Sequence, residues 1–166
     1  MDPRHAILFE PVKIGPVTAP NRFYQTPHAT GFGWQRPQSG AALRGVKAEG
    51  GWGVVCTEYC SIHPASDDQL HISATLWDDT DVRNHRLMTD KVHAHGALAG
   101  AELWFSGSRS ANIATRLVSM DVASRPNGVG HPFQSRPMDK EDIRNLRRWH
   151  RNAALRAKAA PLLRNE

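Results

Sequence analysis

The chain has 166 residues, 40% hydrophobic and 22% charged, a balance that fits an ordinary globular domain and excludes a disordered or fibrous protein. Its formal charge of +5 sits at one end: residues 139–166 hold eight Lys/Arg against four Asp/Glu, and the remainder is almost neutral. A solvated helix face accounts for that better than a nucleic-acid surface, and no run reaches the roughly 18 apolar residues of a membrane helix.

In chain order, residues 1–12 lack the apolar stretch of a signal peptide, which points to a cytoplasmic setting. Residues 21–28 read as a first strand, followed by a Gly-rich loop over 31–40 and a helix over 41–49. Gly50 and Gly51 come next, where a helix C-terminus favours left-handed geometry. Residues 52–62, rich in Val, Thr, Tyr and Cys, read as a buried second strand. Asp78 and Asp79 are N-cap candidates for a helix over 81–95 that ends at Gly96, with Val82, His85, Met88 and Val92 on one face. A third strand over 97–105 leads into a long irregular stretch, 106–137, of the kind that forms lids or binding loops. Asp139 caps a third helix with Asp142 in its first turn, and Ile143, Leu146, His150, Ala153 and Ala157 are expected on its buried face. Strand–helix alternation repeated three times argues for parallel strands in an α/β fold.

Two cysteines, Cys56 and Cys60, are too few for a disulfide scaffold, in keeping with a reducing compartment. With His63 they form C-x3-C-x2-H. Four residues of strand span roughly 13 Å, however, too far for one tetrahedral ion bound at about 2.3 Å per sulfur. Core or site-lining thiols are the better account, and no metal is expected. Gly31-Phe32-Gly33 lacks the rest of a dinucleotide fingerprint and reads as loop. His85, His93, His95 and His150 fall on helices without a nameable catalytic partner, and no nucleophile-elbow motif is present.

Several short motifs, in order along the chain, are more specific than the alternation. ILFEPVKIGPVTAPNRF resembles the opening of the Old Yellow Enzyme superfamily of flavin oxidoreductases. YQTPH, VKAEGGWGVVCTEYCSI, WDDTDVRN and GALAGAELW resemble its trimethylamine, dimethylamine and histamine dehydrogenase branch. The resemblance runs over residues 5–160. It implies an FMN-dependent oxidoreductase on a TIM (β/α)8 barrel, with residues 1–160 supplying about the first three βα units, and FMN at the C-terminal ends of the strands. Thr26, Pro27, His28 and Ala29 would line the isoalloxazine ring after strand 1, largely through backbone, with His28 placed to tune it. Glu58 and Tyr59 would lie at the end of strand 2. Glu102 would reach the pyrimidine side of the ring, where a carboxylate accepts hydrogen bonds from ring N–H groups. Tyr59, with Trp104 nearby, matches an aromatic wall that receives methylated ammonium substrates by cation–π contact.

Two departures qualify what the resemblance implies. Ala29 stands where the covalent amine dehydrogenases carry the Cys that links the flavin, so any FMN is expected to be non-covalent. That widens the expected substrates to N-methylated amines and betaines, with NAD(P)H-dependent enoate reduction and a non-catalytic truncated product as the alternatives. Residues 161–166, PLLRNE, are unlike the Gly-Phe-Asp-type start of a fourth strand and read as an atypical tail of the kind a premature stop produces. In such proteins the catalytic polar pair follows strand 4 and the phosphate loops follow strands 7 and 8. Any iron–sulfur cluster or second nucleotide also lies later, so catalytic residues are not expected in these 166. A small-molecule substrate is expected and neither nucleic acid nor membrane, with a homo-oligomer or complementing chain to complete the barrel.

Overall fold

The computed structural model describes residues 2–67, 73–128, 130 and 132–162. The chain enters through a 3-10 turn, Pro3–Phe9, and an antiparallel hairpin of β1 (Val12–Ile14) and β2 (Val17–Ala19). Gly15, at φ 58°, makes the left-handed turn between them. Strand–helix alternation did not foretell this hairpin. It is too short to show a period, yet its Val12, Val17 and Ala19 pack on Val54, Cys56 and Leu98 at one end of the main sheet.

That sheet is parallel. β3 (Tyr24–Gln25) and β6 (Leu98–Trp104) flank β4 (Val54–Ser61), and β5 (Ala74–Thr75) pairs with the far end of β4. Helices α1 (Pro37–Glu49), α2 (Asp79–His93) and α3 (Lys140–Ala159) follow the strands, so three strand–helix units stand in the expected order. Their apolar residues form one layer with the sheet. Ala41, Ala48, Met88 and Val92 meet Val55, Ala97 and Ala99, while Leu146, Trp149, Ala153 and Ala157 meet Cys60, Ile62 and Ala74.

The first strand is shorter than the expected 21–28. Pro27 has no amide to continue the ladder, and the chain turns away after two paired residues. β5, unforeseen in the sequence, pairs with β4 beyond that point. α1 starts at Pro37 rather than Ala41, because a proline in the first helical turn sacrifices no hydrogen bond. α2 and α3 both open on reciprocal capping boxes, Asp78 with Asp81 and Asp139 with Asp142, two residues earlier than expected for α2. The four residues expected on one face of α2 are buried or half-buried.

On α3 one expectation fails: Ile143 is 50% exposed. Packing against the sheet begins only at Leu146, and Trp149 takes the place that the pattern gave to Ile143. The irregular stretch carries a two-residue ladder of β7 (Met120–Asp121) and β8 (Arg136–Pro137). It is tied down rather than loose. The Asp67 carboxylate accepts from the amides of Ala114 and Thr115, and Asn112 exchanges hydrogen bonds with the Asp67 backbone. Of the expected tail, Leu162 is buried with Ala160 in the helix layer, and residues 163–166 lie outside the described residues. No helix among the described residues is long and apolar enough to cross a membrane.

Candidate functional site

A β-strand alternates its side chains between two faces, so residues four apart share a face. β4 breaks this rule. Its register against β6 shifts between Cys56, opposite Gly100, and Tyr59, opposite Glu102, leaving Thr57 and Glu58 against the single residue Ala101. This is a bulge, and it inverts the parity of everything beyond it. Before the bulge Val54 and Cys56 face away from the helices, and after it Cys60 and Ile62 face toward them. Tyr59 thereby joins Glu102 and Trp104 on the face opposite the helices.

That face bears the candidate site. The Tyr59 and Trp104 rings lie 5.6 Å apart between centroids, tilted by 44°, and Glu102 sits next to Tyr59 across the strands. The buried indole Nε1 of Trp104 has no hydrogen-bond partner among the described residues. Toward the hairpin end the face continues through Cys56 and Tyr24, whose Sγ and hydroxyl are 3.1 Å apart. Gly100 keeps this region low, since a Cβ there would stand 2.6 Å from the Cys56 sulfur. Its hydrogen bond to Cys56, reinforced by burial, pushes the Tyr24 phenol up to about 12. A carboxylate acceptor, a free indole donor and two aromatic faces suit a flat heterocycle bearing both N–H and carbonyl groups, as the isoalloxazine ring does.

The loop after β3 carries Thr26, His28 and Ala29, exposed, and Pro27, half-buried. The His28 amide donates to the Thr57 carbonyl at 3.3 Å, which fastens the loop beside the bulge. Glu58 is placed differently from the other residues expected around a flavin. Its carboxylate turns to this loop, accepting from the amides of Thr30 at 3.0 Å and Phe32 at 3.1 Å and from the Thr30 hydroxyl. Arg44, missed in the sequence, is 3% exposed and donates to the His28 carbonyl. Burial lowers its pKa, and the charge of Glu58 opposes that shift. Its signal was its place on α1, three residues after Ala41 and four before Ala48, on the apolar face.

Cys56 and Cys60 lie on opposite faces of β4. Burial raises the pKa of both thiols, that of Cys60 to about 12, so neither is a ready nucleophile. Among the described residues no group of three or more His, Cys, Asp or Glu could hold a metal. His85 is buried with its Nε2 2.9 Å from the Thr75 carbonyl, and burial lowers its pKa.

Comparison with known proteins identifies the family to which the chain belongs. The sequence profile of the NADH:flavin oxidoreductase / NADH oxidase family matches residues 7–162. Dimethylamine dehydrogenase of Hyphomicrobium sp. (strain x) is 45% identical over 164 residues, which cover 95% of this chain and 22% of that protein. The structure of histamine dehydrogenase from Rhizobium sp. 4-9 superposes with a TM-score of 0.92 at 46% identity, covering 98% of this chain and 25% of that one. An Old Yellow Enzyme homologue of Zymomonas mobilis shares the fold, with a TM-score of 0.79 at 21% identity, over 93% of this chain and 46% of its own. The chain thus spans about a quarter of the length of its two amine dehydrogenase relatives. Its barrel-type units and its matched profile make it a member of the NADH:flavin oxidoreductase / NADH oxidase family.

Proposed function

We propose that the face bearing Tyr59, Glu102 and Trp104 is part of a non-covalent FMN site in a flavoenzyme that oxidises small amines. One observation carries this reading: the bulge in β4 gathers an aromatic pair, a carboxylate and an unpartnered indole N–H on the open face of a barrel-type sheet, at its C-terminal strand ends. Relatives above 40% identity include a dimethylamine dehydrogenase, a histamine dehydrogenase and a 6-hydroxypseudooxynicotine amine oxidase of Pseudomonas geniculata N1, which supports an amine substrate.

In this reading Glu102 accepts from ring N–H groups, and Thr26, Pro27, His28 and Ala29 border the ring mainly through backbone. Tyr59 and Trp104 attract a cationic methylated amine or betaine with their ring faces. Bound FMN supplies the acceptor for a hydride equivalent, and the protein supplies orientation and electrostatics. Ala29 has no sulfur with which to form a thioether. Taken alone, the 166 residues should hold FMN at micromolar affinity or weaker and show no turnover. The parallel sheet leaves two open edges, and barrels commonly build the phosphate site after strands 7 and 8. Further strands, from the same polypeptide, a second copy or a complementing chain, would complete the barrel.

The test is a chimera in which this chain replaces the matching part of Hyphomicrobium dimethylamine dehydrogenase. Its flavin should pass wholly into the supernatant on acid precipitation, and anaerobic trimethylamine, dimethylamine or dimethylglycine should bleach it. Ala29→Cys in the chimera should restore a mass increment of one FMN. Covalent flavin with Ala29 in place contradicts the proposal. Bleaching by NADH and by none of the amines favours enoate reduction instead.

A further inference from the structure

Two buried charges take no part in the proposed contacts with flavin or amine. Arg44 and Glu58 are each 3% exposed, and both hydrogen-bond the backbone of the loop after β3. We infer that they act together as positioning residues, clamping the chain around Ala29 in the shape in which it meets the flavin ring. The inference rests on the flavin reading above for what the loop touches, but the clamp itself is independent of any ligand.

The need for a clamp follows from the sequence. Pro27 ends the ladder of β3; beyond it the His28 amide still reaches the Thr57 carbonyl of β4, while the groups that follow turn to side chains. The His28 carbonyl is taken by the Arg44 guanidinium. On the far side of Ala29, the amides of Thr30 and Phe32 converge on one oxygen of Glu58. Ala29 itself lies between a residue held by a cation and a residue held by an anion. The far end of the loop is pinned as well. A Cβ on Gly33 would stand 2.7 Å from the Ala74 Cβ and 2.9 Å from its Cα, so only glycine lets the loop lie this close to β5.

The two charges also need each other. Glu58 Oε2 is buried without a hydrogen-bond partner among the described residues, and Glu58 lines a cavity of about 30 Å³ together with Arg44, Thr57 and His85. Of the two basic groups at this cavity, His85 is held toward its neutral form by burial and spends its Nε2 on Thr75. Arg44 is therefore the cation that balances Glu58 across the cavity. One bulge serves both ends of the device, sending Glu58 to the loop and Tyr59 to the open face.

Amide hydrogen exchange of the 166-residue chain tests the clamp without flavin. Glu58→Ala should speed exchange at Thr30 and Phe32 by about tenfold or more, as expected on losing hydrogen bonds to a charged acceptor. The strand amides of Val55 and Cys56, in the same sample, should keep their rates and thereby report an intact fold. Glu58→Gln keeps an acceptor oxygen and should restore most of the protection. Unchanged exchange at Thr30 and Phe32 in Glu58→Ala would overturn the inference. Equal acceleration of loop and strand in both variants would also overturn it, because Glu58 would then hold the fold and not the loop. FMN titration of the same variants separates the two readings. Loop release with unaltered FMN affinity would leave the clamp standing and overturn the flavin placement on which its purpose rests.

Discussion

Arg44→Met should destabilise the chain by about 1–3 kcal/mol, the range for leaving a buried hydrogen-bond acceptor unsatisfied. The guanidinium donates to the His28 carbonyl and, at 3.5 Å, to the Gln25 side chain, both on the chain leaving β3. Truncating it leaves the His28 carbonyl unsatisfied beneath the loop and removes the positive charge that acts on Glu58. For a chain of this length the melting temperature should fall on the order of 5 °C. Arg44→Lys, which keeps the charge but not the planar fork, should lie between wild type and Arg44→Met. Urea denaturation checks the ranking. A loss within about half a kcal/mol for Arg44→Met, as at an ordinary surface position, would show that Arg44 does not hold the loop.

Glu102→Ala and Tyr59→Ala should separate cofactor from substrate in the dimethylamine dehydrogenase chimera. Under the proposed roles, Glu102→Ala removes a charged acceptor worth roughly 1.5–3 kcal/mol, which weakens FMN binding by about tenfold to a hundredfold. Glu102→Gln keeps a carbonyl oxygen and should lose much less. Tyr59→Ala should leave FMN affinity nearly unchanged and raise the KM for a methylated amine, since it deletes one aromatic wall. Flavin fluorescence titration and steady-state kinetics read the two effects separately. Equal losses of FMN affinity in both variants would reject this division of roles.

Much of the scaffold was legible because its signals are local. The capping aspartates before α2 and α3, the glycines after α1 and α2, and the apolar face of α2 each occupy a few consecutive residues. The motifs quoted above carried the family. What escaped was set by partners distant in the chain. Nothing near Ala74 announces that it pairs with Cys60, and nothing near Val12 announces that it packs on Leu98. Ile143 fits the helical period but sits where α3 has not yet reached the sheet.

The bulge is the most instructive case. Strict alternation over residues 54–62 would put Cys56, Glu58 and Cys60 on one face, whereas the extra residue leaves Cys56 on the open face and turns Cys60 toward the helices. It also decides which of the neighbours Glu58 and Tyr59 meets the open face. Arg44 shows the converse: its helical position was readable, but its charge argued against burial until Glu58 was seen beside it.

The most direct test of the flavin site uses the indole N–H of Trp104. Five tryptophans give five indole resonances in a nitrogen–proton correlation spectrum, and Trp104→Phe identifies the one that matters. Titrating the 166-residue chain with FMN detects weak binding as readily as tight. The account predicts a saturable ring-current and hydrogen-bond shift of the Trp104 indole, accompanied by the amides of Tyr59 and Glu102. The indole of Trp52, which precedes β4 at the opposite end of the sheet, should stay in place. Saturation with the Trp104 indole unmoved, or no shift anywhere up to millimolar FMN, would contradict it.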